Sequence, residues 1–485
     1  MCNLCSNEDH GMPRRDFIKT VGVSSAGLYL GANGIMSASG IVNSPAADKK
    51  TATIRGAFLY PPSSTLEAEG YYSWPGADFG AEGRQKQYMS RIKEIESKLG
   101  IQIEMDAKPL DVVSDVDKLI TELKTTKPDG LLLIPFKKSH YDHVVRIVEE
   151  TQIPTIILAT LGILLIEHIR QLRDRAGVIL INSPDDLDAV ENGLKMIKTW
   201  RWINNALIVN IGGTKPDETT VPVIGTKVRN ITHQRFYDYF SQTKVNQEVQ
   251  ALAKQYTTNA VKIVQPTKED IIEAAKCYFI FKRILADEKA DALMMDCLPG
   301  LRKPHKHVPP CMGFMSLRDE GIAIGCQSDL NSTLTMMLLQ ELFGKPGFQH
   351  NASYNTEKDC YFCAHCTSPS KMDGIDKPAD PYELMSHCES GWGTVPRVLF
   401  KKDQEVTIAR YLSDVKKPQM LLYSGKIISC PAIPPTGGCR TNVETTINEI
   451  EKGSDLKGQH LIMIYGNHVR QLKRLSQLYN IEVVI

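Results

Sequence analysis

The sequence predicts an α/β protein: two Rossmann-like, doubly wound layers followed by a β-rich C-terminal domain, antiparallel and barrel-like. Three observations carry this. From residue 50 to about residue 190, apolar runs of strand length alternate with helical patterns, as expected for a parallel sheet covered on both faces. The same alternation resumes at "NALIVNIG". After Gly347 it gives way to short β-rich runs divided by Gly, Pro and charge. The boundaries fall at 1–48 for a leader and linker, 49–195 and 196–344 for the two α/β domains, and 345–485 for the β-rich domain.

In the first layer "TIRGAFLY" opens a strand, and apolar residues at helical spacing predict a helix over Arg84 to Leu99. "IQIEMDA", a helix near Val113 to Thr125, "DGLLLIPF", a helix over His140 to Glu150, "PTIILAT", a helix through Leu172 and "AGVILINS" complete the series. The longest apolar run, Thr155 to Ile166, is too short to span a bilayer. No G-x-G-x-x-G occurs, so a dinucleotide site is not indicated. The second layer is expected to hold "NALIVNIG", "AVKIVQP", a helix over Lys268 to Glu288, "DALMMDC" and "GIAIGC".

The stretch "GCQSDLNSTLTMMLLQELFGKPGFQHN", Gly325 to Asn351, reads as a strand end, a polar cap, a helix and a turn. Ser328 or Asp329 is the expected N-cap, and Leu330, Leu334, Met337 and Leu338 the apolar face. Gly344 and Pro346 stop the helix. The runs "TVPRVLF", "EVTIARYL", "QMLLYSGKIIS", "HLIMIYG" and "IEVVI" supply the strands of the last domain.

With 485 residues and a formal charge of +1, the chain has room for several cores and no electrostatic case for nucleic acid. The N-terminal "PRRDFIKTVGVSSAGLYLGANGIM" resembles a twin-arginine export signal: paired Arg14 and Arg15, then Phe17 and Lys19, then a mildly apolar Gly/Ala-rich run. It implies the twin-arginine export machinery as a partner and a periplasmic or extracytoplasmic destination. A disordered basic leader is the plainer reading. Among twelve cysteines, Cys2 and Cys5 lie in this leader. "DCYFCAHC" spaces Cys360, Cys363 and Cys366 by three with His365 between, and Cys388 stands beside His387. A metal knuckle, a disulfide and plain buried thiols are all open, the last being the commonest outcome without a second C-x-x-C.

Cys326 to Pro346, "CQSDLNSTLTMMLLQELFGKP", resembles the L-fucose isomerase family, which includes L-arabinose isomerase. It is similar to that family's Glu-x-Asp, its Ala-Leu-Thr-Met helix and its Gly-x-Pro turn, and the lead-in "PPCMGFMSLRDEGIAIG" is similar too. The resemblance implies a fucose-isomerase-like fold in the order read above, a homo-oligomer and a small-molecule sugar as substrate. It implies aldose–ketose isomerisation through an enediol, assisted by a divalent metal, typically manganese. A Glu stands in the family at the position matching Gln327, an Asp at that matching Asn351, and a His from the C-terminal domain completes the metal site.

Here both matched acids are amides, which add no negative charge to a metal site and cannot act as a base near neutral pH. Gln327 and Asn351 are still the expected catalytic and metal-binding positions, with His350 as a rescuing metal ligand. Asp296, at the end of "DALMMDC" beside a loop carrying His305 and His307, is the stand-in catalytic acid. Arg440, Trp392 and His365 are candidate sugar contacts, through hydrogen bonds and ring stacking. His387 and Glu389 offer a further polar pair, and His468 has no matched role. The expectation is a sugar-isomerase-like protein with a departed site. Its alternatives are a non-catalytic, exported sugar-binding descendant or an unrelated sugar receptor.

Overall fold

The computed structural model describes residues 51–69, 80–160, 166–213, 215–432 and 438–485. Arg14, Arg15, Phe17, Lys19, Cys2 and Cys5 lie outside the described residues. No described helix is long and apolar enough to cross a membrane.

The first layer is a five-stranded parallel sheet, β1 (Thr53–Leu59), β2 (Gln102–Met105), β3 (Gly130–Pro135), β4 (Thr155–Ala159) and β5 (Val178–Asn182), in the order β2-β1-β3-β4-β5. Its helices are α1 (Ser63–Glu69), α2 (Ala81–Leu99), α3 (Val113–Thr126), α4 (Tyr141–Thr151), α5 (Ile166–Arg173) and α6 (Leu187–Asn204). The apolar runs supply both faces. Ile54, Phe58, Leu132 and Ile156 meet α2 and α6, whereas Ala57, Leu59, Leu131 and Ile157 meet α3, α4 and α5. Helix α6 runs through the expected boundary at 195, because it packs against the first sheet and against the next layer.

The second layer contains β6 (Leu207–Gly213), β7 (Asp217–Thr220), β8 (Lys227–Thr232), β10 (Ala292–Met295) and β11 (Ile324–Cys326), ordered β11-β10-β6-β8-β7, with only β7 antiparallel. Helices α7 (His233–Gln242), α8 (Gln247–Asn259), α9 (Lys268–Glu288), α10 (Leu298–Leu301), α11 (Cys311–Asp319) and α12 (Leu330–Phe343) surround it. "AVKIVQP" departs from expectation. Its two-residue strand β9 (Lys262–Ile263) is exposed, and it pairs with β14 (Tyr382–Met385), which in turn pairs with β15 (Val395–Val398). Helix α12 is buried almost all round rather than on one stripe, since it is wedged between α6, the second sheet and the last domain.

The last domain closes. Strands β12 (Phe348–Asn355), β13 (Cys360–His365), β16 (Glu405–Leu412), β17 (Gln419–Ser429), β18 (Thr441–Thr445) and β19 (Leu461–Tyr465) run β16-β19-β12-β13-β18-β17, and β17 pairs back onto β16. The ring is antiparallel throughout. Closure removes the exposed edges. Phe348, Tyr361, Val406, Tyr423, Val443 and Met463 pack together in its core. The chain ends in α13 (Val469–Leu478) and β20 (Glu482–Val484), parallel to β17.

Candidate functional site

The site lies where the second sheet meets the barrel, and one buried amide joins them. Gln349, on β12, accepts from the backbone N–H of Cys326 at 2.9 Å and donates to the carbonyl of the same residue at 3.1 Å. It thus takes the place of a neighbouring strand at the end of β11, and the next residues along, Gln327 and Asn351, are drawn to one cavity. Arg318, fully buried on α11, braces the joint by donating to Ile324 O, Thr367 O and Gln349 Oε1. Burial pushes its guanidinium down to about 10. Gly325 admits α12 close to the strand, since a Cβ there would come within 2.1 Å of Thr333 Oγ1.

Gln327 and Ser328 both take left-handed backbone, φ 57° and 51°, where residues other than glycine are strained. Ser328 Oγ donates to Asn210 Oδ1, and Asp329 then caps α12 by accepting from Ser332 N. The Asp329 carboxylate also meets Arg410 at 3.0 Å and His460 Nδ1 at 2.9 Å. Burial pushes this acid up, but the bonds from His460 and Arg410 outweigh it and hold it down at about 2.

The cavity, about 30 Å³, has a polar side and a sulfur side. Gln327, Asn351, His365, His387 and Glu389 form the polar side. Nδ1 of His365 accepts from Thr367 N–H at 3.1 Å, and Nδ1 of His387 accepts from Ser390 N–H at 3.3 Å. Burial lowers the pKa of both rings, so each is neutral with its hydrogen on Nε2, a donor. Glu389 is exposed and is the one carboxylate among the described lining residues.

The sulfur side carries Cys297, Cys311, Cys326, Cys366, Cys388 and Cys439. Three of them converge: the ligand atoms of Cys366, Cys388 and Cys439 lie within 4.8 Å of one another, with Cys366 Sγ and Cys388 Sγ 3.4 Å apart. Asn351 Nδ2 donates to Cys439 Sγ at 3.8 Å. Bonds from Cys366 and Cys439 hold the Cys388 thiol well below its usual range, while the same sharing pushes Cys366 up. All ten described cysteines are free. Cys360 and Cys363 do not join: "CYFCAH" is a strand whose pleat sends them to opposite faces, and the cluster forms beyond its end, at Cys366.

The fold brings Gln327, Asn351 and His365 together with the His387–Glu389 pair and with Cys366 and Cys388, and leaves His350, Asp296, Trp392, Arg440 and His468 outside the cavity lining. His350 points the other way along β12, fully buried, its Nδ1 against Phe348 O and its Nε2 against the Tyr361 hydroxyl, so neither nitrogen is available to a metal. Asp296 sits at the end of β10, its backbone carbonyl bonded to His233 Nε2, and the residues that follow it, Cys297 and Leu298, line the cavity in its place. Trp392 packs its ring 4.3 Å from that of His305. Arg440 is buried and donates from Nε to Ser386 O, holding the loop that carries His387 and Cys388. His468 stacks on Phe343.

Two neutral amides, two N–H donors, a single exposed carboxylate and a set of thiols are a poor donor set for manganese, which favours hard oxygens. The residues present do not fit that metal. Gln349, Arg318, His460 and Cys439 were not legible as site residues, since each acts through a partner far away in the chain.

No family model matches the chain. Over 228 residues it is 23% identical to the sulfoquinovose isomerases of Priestia aryabhattai and Priestia megaterium (strain ATCC 12872 / QMB1551). The aligned part covers 45% of this chain and 49% of each relative. The likeness is to sugar isomerases. The chain spans about half the length of the curated relatives it matches.

Proposed function

We propose that this chain is a sugar-isomerase-like protein that binds a small sugar over the exposed Gln327 and Glu389, at the mouth of the water-sized cavity, and interconverts its aldose and ketose forms. The observation that supports this best is the meeting of Gln327 and Asn351, from different elements, at the end of the second parallel sheet, where α/β folds hold their ligands. The amides and the two Nε2–H imidazoles bind and orient hydroxyls. Glu389 is the group that moves the proton between C1 and C2, because no other lining carboxylate is described. No step is assigned to manganese.

The two amides favour a second reading, a sugar-binding protein without turnover. Incubating the full chain with a panel of aldoses in D₂O and following the C2 proton by NMR, with calorimetric binding alongside, separates the two. Exchange that is lost in Glu389→Gln supports the isomerase, and binding without exchange supports the binder. Neither binding nor exchange across the panel overturns both. Export by the twin-arginine route, proposed from Arg14, Arg15, Phe17 and Lys19, is tested by comparing localisation of the chain with an Arg14→Lys, Arg15→Lys variant. Assembly into a homo-oligomer, proposed from the resemblance, is tested by light scattering.

A further inference from the structure

We propose that Cys366, Cys388 and Cys439 bind one zinc ion, with a fourth coordination position open to the cavity that holds Gln327 and Asn351. The sulfurs come from three separate parts of the chain: the residue after β13, the loop between β14 and β15, and the residue two before β18. In a tetrahedral site with zinc–sulfur bonds of about 2.3 Å, neighbouring sulfurs stand about 3.8 Å apart. Cys366 Sγ and Cys388 Sγ stand 3.4 Å apart and all three sulfurs lie within 4.8 Å of one another, so a shift of a few tenths of an ångström sets the observed pair at that value. Three thiolates suit a borderline-soft divalent ion, and a three-ligand zinc site characteristically leaves its fourth position to water or a substrate. The cavity of about 30 Å³ gives that position room for a water molecule.

The surroundings support a closed shell of thiolates rather than loose thiols. Asn351 Nδ2 is already turned to Cys439 Sγ as an outer hydrogen bond of the kind that orients metal ligands. The charge is matched as well. A zinc ion with three thiolates carries one net negative charge, and two buried guanidiniums stand nearby without a carboxylate within salt-bridge distance among the described residues. Arg440 follows Cys439 directly and acts electrostatically on Cys388, while Arg318 acts on Cys326 and Cys311 in the same cavity wall. Both are hydrogen-bonded to carbonyl or amide oxygens, and an anionic centre supplies the counter-charge that a buried cation favours. Binding releases the thiol protons to solvent, so uptake is favoured as pH rises.

The inference stands apart from the sugar reading, since its test involves no turnover. The full chain is purified anaerobically under mild reduction, its zinc measured by elemental analysis, and the metal-free form titrated with Co²⁺. The expected result is about one zinc per chain and a thiolate-to-cobalt charge-transfer band, both lost in Cys388→Ser and Cys439→Ser and both kept in Cys360→Ser. Circular dichroism establishes that the variants fold, and if they do not, the cobalt band of the unaltered chain decides alone. A chain that takes up neither metal overturns the proposal. So does a Cys366–Cys388 disulfide in that preparation, or metal loss in Cys360→Ser equal to that in Cys388→Ser.

Discussion

Two positions separate Gln327 from Asp329, and they have opposite electrostatic surroundings. Asp329 is half-buried, caps α12, and shares its charge with Arg410 and His460 from the barrel. Gln327 is exposed at the cavity, neutral, and strained at φ 57°. The Asp329 anion therefore serves the joint between sheet and barrel, while the cavity beside it is lined by amides, imidazoles and sulfur, with Glu389 the one carboxylate among its described lining residues. Charge close to a site in sequence is no guide to charge in the site.

The largest expected effect breaks the structural half of this comparison. Asp329→Asn keeps the cap but removes the anion from Arg410 and His460, leaving a part-buried cation unpaired, and should lower the unfolding free energy by about 3 kcal/mol. Gln327→Ala, two residues away, should stay within about 0.5 kcal/mol. Urea unfolding with an unchanged m-value checks both. Equal losses in the two variants would mean that the two settings do not differ as described.

Sharpening the other half means returning charge to the cavity. The Gln327→Glu, Asn351→Asp double variant supplies the two hard anionic donors that manganese requires, and its affinity for that ion should rise at least ~100-fold over the unaltered chain. Isothermal titration with Mn²⁺ measures this. An unchanged affinity would show that these positions do not face one ion.

The pH dependence isolates Asp329 again, at smaller size. Its folded pKa is depressed to about 2, so its contribution to stability is complete above its unfolded value and is lost as pH falls from about 4 through about 2. That loss amounts to about 2 kcal/mol, and it should be absent from Asp329→Asn when stability is measured across the same window.

Much of this arrangement was legible in the sequence for one reason: periodicity is local. The strands "DGLLLIPF" and "PTIILAT" announced a doubly covered parallel sheet, and the cap and stop of α12 were visible in Asp329 and Gly344. What was not legible depends on pairing between distant segments. "AVKIVQP" looked like a sheet strand but is a two-residue edge beside β14. The spacing of "DCYFCAHC" left a knuckle, a disulfide and buried thiols open; the pleat divides Cys360 from Cys363, and Cys366 meets Cys439 where β13 pairs with β18 and Cys388 from the loop between β14 and β15. His350 and Asn351 are neighbours with opposite fates for the same reason, since a strand alternates its faces.

The smallest effect concerns strain. Left-handed backbone costs a residue with a Cβ roughly 1 kcal/mol, and Gln327 and Ser328 adopt it in succession. Glycine at 327 removes that cost but frees the unfolded chain, which offsets part of the gain. Gln327→Gly should therefore raise the unfolding free energy by only about 0.5 kcal/mol, while weakening sugar binding by removing the amide. A stabilised variant with impaired binding would place the strain at the site itself, held there by Gln349 pinning Cys326 on one side and Asp329 anchored to Arg410 on the other. A destabilised variant would instead show that the Gln327 side chain makes packing contacts that outweigh its backbone strain, and the contrast with Asp329 would then be one of degree.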